Sequence, residues 1–298
     1  MKGAVGMRNG ILSYSRIVLL CIFLLGWSSA WSASYDRGLL WAVTSPGGER
    51  SYVLGTIHSG EPSVLELKPP VEQAFSESKH YVMELIPDAA AMTNLQASMV
   101  YPSGEQLADA LPEKLYRQVV AAMAERGMPE ASTSRMRPWV LLMILNMPVN
   151  TTGQILDNQL YQRALAEGKP ISGLETPEEQ LDVLSNWPQD KITAWLADTV
   201  DHLDEVESMQ ESLLQAWLDR DLKRLQEISD SMEFGDAADS EAFTERLVNE
   251  RNVRMVERMV PSLNEGGSFV AIGALHLPGE EGVLNLLSQR GYQLEVLY

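Results

Sequence analysis

The chain has 298 residues, 45% of them apolar and 21% charged, which fits a packed core and excludes a disordered chain. The formal net charge is −18; residues 1–30 hold three basic groups and no acid, so the remainder carries −21. A surface this acidic repels phosphate backbones and argues against nucleic acid as a partner. Cys21 is the only cysteine and lies in that first segment, so thiol catalysis, zinc–thiolate sites and iron–sulfur clusters are excluded from the rest.

Lys2, Arg8 and Arg16 precede IVLLCIFLLGW, eleven apolar residues, and the small-residue stretch SSAWSAS follows. A basic start, a short apolar centre and small residues at the cut are the layout of a secretory signal peptide. The run is shorter than the roughly 20 residues a bilayer span needs. The pattern predicts a signal peptide over residues 1–30, cleavage near Ala30 or Ser32, and one domain over 31–298. The product would be periplasmic or secreted, with no stable membrane insertion after cleavage. An uncleaved anchor is the alternative; a lipid on Cys21 is disfavoured because bulky Leu20 precedes it.

LLWAVTS and SYVLGTIH flank PGGER and predict a β-hairpin over 39–58. PPVEQAFSES reads as a short helix opened by proline, and HYVMELI, 80–86, as the next strand. Ser103 is placed to cap a helix carrying LADALPEKLYRQVVAAMAERG, interrupted near Pro112 and stopped at Gly127. RMRPWVLLMILNMP predicts a buried helix. ILDNQLYQRALAEGKPISGLE runs from amphipathic helix through a turn into a short strand. Thr176, Pro177 and Glu179 form a capping box at the next helix. Residues 190–260 read as almost wholly helical, ended by NEGG. SFVAIGALH is a strand, EGVLNLLSQRG a helix and YQLEVLY a closing strand. Strands at both ends with helices between predict an α/β fold: one central mixed sheet flanked by helices, with a large helical middle region as a lobe or cap.

Two apolar strands, SYVLGTIH and SFVAIGALH, each end in Gly-x-x-His. If both stay extended, His58 shares a face with Thr56 and His276 with Ala274. Gly55 and Gly273 each admit a close backbone or helix. Ligands in α/β sheets sit beyond the carboxyl ends of strands, and Glu84 ends a third strand at a point where an unpaired glutamate is costly. His58, His276 and Glu84 are therefore candidate ligands of an open divalent-metal site, manganese being one fit; core histidines satisfied by packing are the alternative. Glu175 ends the strand ISGLE as a possible fourth carboxylate, or as a helix-entry charge. Arg251 and Asn252 suit a carboxylate or an oxyanion, and Asp157 lies in a helix among apolar residues; ordinary surface charge is the competing reading for each. His80, His202, Trp187 and Trp217 read as structural. The sequence has no Gly-x-Ser-x-Gly elbow, HExxH, phosphate-binding glycine loop or dinucleotide fingerprint.

YVLGTIHSGEPSVLEL with YVMEL, ALAEGKPISGLETPEEQLDVL, and NERNVRM followed by FVAIGALHLPGEEGVLNLLSQRGYQLE together resemble the TraB/GumN family, relatives of the Tiki proteases. The likeness covers about residues 35–298. It implies a mixed α/β domain with both Gly-x-x-His motifs in one site and a metal-dependent peptidase chemistry favouring Mn2+ or Co2+. It also implies His58 and His276 as metal histidines, Glu84 as ligand or general base, and Glu175, Arg251 and Asn252 as recurrent site positions. In that reading a peptide or protein is the substrate, and Arg251 or Asn252 steadies it or the oxyanion. The alternative on the same fold is a non-catalytic protein that sequesters haem or a peptide.

Overall fold

The structure, a computed structural model, describes residues 35–87, 89–149 and 153–298. The segment expected to be a signal peptide lies outside the described residues. Six strands form one sheet: β1 (Leu40–Thr44), β2 (Arg50–Thr56), β3 (His80–Met83), β4 (Ile171–Gly173), β5 (Ser268–Gly273) and β6 (Gln293–Val296), in the order β4-β3-β5-β2-β1-β6. β4, β3, β5 and β2 run parallel, while β1 is antiparallel to β2 and to β6. The sheet is therefore mixed, with helices between most of its strands, as the sequence predicts.

The hairpin forms because alternating apolar residues flank a Pro-Gly-Gly turn. Leu40 pairs with Leu54 and Thr44 with Arg50, and Gly48 takes the positive φ of +92° that the turn requires. β5 is buried along its first five residues, the near-continuous apolar run of a parallel strand covered on both faces. Phe75, Tyr81 and Phe269 meet above the sheet, with the Phe75 and Phe269 rings 5.2 Å apart. Helices Leu156–Ala166 and Glu250–Glu265 pack on β3 and β5 respectively. Each large side chain buried there contributes about 1.5–3 kcal/mol.

A second hydrophobic core lies away from the sheet. Leu107, Leu115, Val119 and Met123 join Trp139, Leu141 and Leu145, and Ile192, Trp195, Leu196 and Phe243 close it. The helix Pro138–Leu145, at about 1.5 Å per residue, is buried on six of its residues. No described helix is long and apolar enough to cross a membrane. Residues 189–265 are mostly helical but serve both cores: Gln189–Asp201 packs in the second, and Trp217, Leu222, Leu225 and Met255 pack in the first. Thr176 caps its helix with the expected reciprocal bonds to Glu179.

Several boundaries differ from the sequence reading: β3 ends at Met83 rather than at 86, β4 ends at Gly173 rather than at Glu175, and three others bear more directly on the site or its surroundings. Ser103 sits in a turn, and the helix begins at Leu107, where Asp109 accepts from the Gln106 N–H. β2 stops at Thr56, two residues before His58. β5 stops at Gly273, and Ala274–His276 turns into one 3₁₀ coil, with the Leu277 N–H bonded to the Ala274 carbonyl. Strand alternation therefore does not govern either histidine. The turn is possible because Gly55 leaves room for it: a Cβ at Gly55 would lie 2.7 Å from Leu277 Cδ1 and 3.1 Å from the Ala274 Cα.

Gly55→Ala is expected to lower stability by about 1–3 kcal/mol, the usual cost of overpacking, because the Ala274 backbone must move with Leu277. Denaturant unfolding checks this; an unchanged midpoint would show that the turn is not held against Gly55.

Candidate functional site

The four parallel strands deliver one polar residue each past their carboxyl ends. Read across the sheet from β4 to β2, these are Glu175, Glu84, His276 and His58. Neighbouring strands lie about 4.8 Å apart, so the order of the strands is the order of the side chains.

Glu84 follows β3 directly and is largely shielded, its side chain 15% exposed. Its Oε1 accepts from the Gly273 N–H at 2.6 Å, and its Oε2 accepts from Arg251 Nη2 at 2.8 Å and from Gln180 Nε2 at 3.4 Å. Gly273 makes this approach possible: a Cβ there would stand 3.3 Å from Glu84 Oε1 and 3.5 Å from His276 Cδ2. The two motif glycines thus act across the sheet, Gly55 receiving the turn that carries His276 and Gly273 receiving Glu84. Burial pushes the Glu84 carboxyl up, but His276, Arg251, the Gly273 N–H and His58 outweigh it and hold the group at about 2.

Glu175 has a fully buried side chain. Arg251 serves it through Nε and Nη2 at 2.7–3.1 Å, Arg254 through Nη2 at 3.2 Å and Gln180 through Nε2 at 3.1 Å. Burial raises its carboxyl, and Arg251 and Gln180 more than reverse that. Arg251 also donates Nη1 to the Leu247 carbonyl at 3.0 Å. The wide π turn Glu245–Asn249 precedes it, with the Glu250 N–H reaching back to the Glu245 carbonyl. Both Arg251 and Asn252 are buried just past that turn, although adjacent helix positions do not share a face.

His276 is buried. Its Nδ1 lies 2.7 Å from Asn252 Oδ1, and its Nε2 lies 3.9 Å from Glu84 Oε1. Burial lowers the imidazole to about 4 against the opposing pull of Glu84, so the ring is neutral at neutral pH. It is then Arg251 and the Gly273 N–H that keep Glu84 ionised. His276 Nε2 and a Glu84 carboxylate oxygen face each other across this gap, and imidazole with carboxylate is a donor set suited to a cation. His58 is exposed on the next strand end. Among the described residues, no three His, Cys, Asp or Glu side chains stand close enough together to hold a metal ion.

The structure bonds Glu84, Glu175 and Arg251 into one cluster, sets the bonded pair Asn252 and His276 beside it across the 3.9 Å gap, and leaves His58 at its rim. Asp157 stands at the same carboxyl edge but outside that cluster: its Oδ1 accepts from the Thr56 hydroxyl at 2.7 Å, where Thr56 ends β2 and pairs with Gly273. His80 bonds Ser172 at 3.0 Å, His202 joins two helices, and the Trp217 indole N–H bonds the Gly55 carbonyl at 3.0 Å. Sequence reasoning passed over Gln180 and Arg254. A signal for Arg254 was present: Arg251, Arg254 and Arg258 recur at three- and four-residue spacing, one helix face, and that face meets Glu175 and Glu179.

Residues 39–296 match the TraB/PrgY/gumN family model, and the chain belongs to that family. It is 26% identical to a protein named metalloprotease TIKI homolog from Nematostella vectensis, over 94% of this chain and 74% of the relative. It is 27% identical to metalloprotease TIKI2 of Danio rerio, over 87% of this chain but only 61% of that longer protein. The uncharacterized protein YbaP of Escherichia coli is 25% identical over 86% of this chain and 96% of its own length. No solved structure matches the chain significantly.

Two buried groups contribute to the acid response of the metal-free protein. His276 near 4 lies below its usual 6.5, so the unfolded state takes up protons first as the pH falls through that interval, and stability drops. Glu84 near 2 lies below its usual 4.5; its stabilisation is complete above about 4.5 and is lost toward 2. Both act in the same direction. Unfolding midpoints measured from pH 7 to 3 should fall from about 6.5 downward, and His276→Asn should remove the upper part of that fall. Identical profiles for the two proteins would contradict the assignment.

Proposed function

We propose that this TraB/PrgY/gumN family member is an exported, metal-dependent hydrolase, most specifically a peptidase, with its site at the carboxyl edge of the parallel strands. The observation that carries the reading is the 3.9 Å gap between His276 Nε2 and Glu84 Oε1, with His58 on the neighbouring strand end. The metalloprotease names of the TIKI relatives support the choice of chemistry and of a peptide or protein substrate. Export rests on the pattern of residues 1–30.

In this reading His276, Glu84 and His58 hold a divalent cation, Mn2+ or Co2+, with exposed His58 closing in from the rim, since the three do not stand close enough without such a movement. When bound, such an ion supplies a Lewis acid and a water acidic enough to act as a nucleophile near neutral pH. The protein's own groups do the rest. Glu84 acts as ligand rather than general base, since a carboxyl held near 2 is too weak a base at neutral pH. Arg251 and the Gly273 N–H fix the direction of that carboxylate. Arg251 has its nitrogens engaged by Glu84, Glu175 and the Leu247 carbonyl, so it orients the ligand and does not clamp the substrate. Glu175 holds Arg251 in place. His58, exposed at the rim, is the first of these groups that an incoming peptide meets.

Purified protein loaded with manganese should retain close to one ion per chain, and His276→Ala and His58→Ala should each retain far less. A peptide-library digest should show cleavage with manganese and none with a chelator. Equal, negligible metal in all three proteins would refute the site; metal uptake without any cleavage would leave a binding protein in place of an enzyme.

A further inference from the structure

Asn252 is 1% exposed and has both ends of its amide occupied. Its Nδ2 donates to the Glu281 backbone carbonyl at 2.8 Å, and its Oδ1 lies 2.7 Å from His276 Nδ1. A backbone carbonyl can only accept, so the first contact decides which way round the amide sits. The opposite orientation would set two acceptors against each other at that distance. With Oδ1 facing the ring, Nδ1 must carry the hydrogen, because two acceptors cannot share a short contact.

We infer that Asn252 is a positioning residue: it holds His276 as the Nδ1–H tautomer and turns the bare Nε2 toward Glu84. The proton on one ring nitrogen is set by the bond the other makes, and a free imidazole favours the opposite tautomer, with hydrogen on Nε2. In that form the N–H would project into the space beside Glu84 Oε1 and block any cation there. Asn252 therefore works on the ring rather than on a substrate, which replaces the oxyanion role that the sequence suggested. The anchor of the amide is also informative. Glu281 lies on the loop that follows His276, after Pro278 and Gly279, so the same amide ties that loop to the ring's orientation. The tautomer stands independently of any metal; the consequence for cation binding rests on the reading proposed above.

The test is histidine-selective 15N NMR of the metal-free protein at neutral pH, with wild type, Asn252→Ala and Asn252→Asp assigned against His276→Asn. Wild type should show His276 with hydrogen on Nδ1 and a bare Nε2. Asn252→Ala should shift the ring toward the Nε2–H form. Asn252→Asp, which still offers an oxygen to Nδ1, should keep hydrogen there. Manganese affinity, read by titration, should weaken about 10- to 100-fold in Asn252→Ala and recover in part in Asn252→Asp. Circular dichroism and melting curves identify a variant that fails to fold, and the wild-type spectrum alone is then decisive. An Nε2–H tautomer in wild type, or an unchanged tautomer in folded Asn252→Ala, would overturn the inference. Wild type with a bare Nε2 but no manganese uptake would sink the metal reading and leave the Asn252 assignment standing.

Discussion

The site depends on the sharing of one guanidinium between two shielded carboxylates. Arg251 reaches both Glu84 and Glu175 with the same Nη2. Charges in such a setting are costly unless paired, and removal of one partner of a buried pair typically costs about 3–5 kcal/mol. Glu175 has Arg254 and Gln180 as further donors, so its charge is well served. Glu84 has the Gly273 N–H, a longer bond from Gln180 and its share of Arg251. The less compensated carboxylate is the one that faces His276. Part of the charge of the cluster thus faces the gap beside the imidazole.

The frame around that cluster is made rigid in two ways. Parallel pairing of β3 and β5 fixes Glu84 against Gly273, and the helix Glu250–Glu265 brings Arg251 and Asn252 down onto the same edge. The second core, built around Trp139, Trp195 and Phe243, lies apart from this edge in its residue set. The helical region that looked like one continuous lobe in sequence divides its allegiance between the two cores. The helix Leu203–Leu218 and the helix Leu222–Asp230 bury Trp217, Leu222 and Leu225 in the sheet's own core.

Much of this was legible in the sequence because the signals were local. The hairpin, the Thr176 capping box, the buried helix at Pro138–Leu145 and the closing strand each follow from spacing and turn chemistry within a few residues. The placement of Glu84 and Glu175 at strand ends was legible for the same reason. What was not legible depended on contacts between distant segments. The Ala-Leu-His stretch after Gly273 looks like more strand; it coils because Gly55, far off in sequence, leaves space beneath it. Arg251 and Asn252 looked like neighbours that would contact substrate, and only the tertiary fold shows both already committed to other protein groups. Thr56 gave no sign of its bond to Asp157.

The order of the strands has a consequence for how the molecule comes into being. β5 occupies the middle of the sheet, between β2 and β3, yet it is the fifth of six to leave the ribosome. Until residue 268 and beyond are made, β2 and β3 have no common neighbour to register against, and long-range parallel pairing of this kind is slow to form. The same late segment carries His276 and the Gly273 amide. A nascent chain thus cannot assemble this edge early, and clipping of the C-terminal segment would strip His276 and the Gly273 amide from it while leaving β1, β2 and β3 intact in sequence.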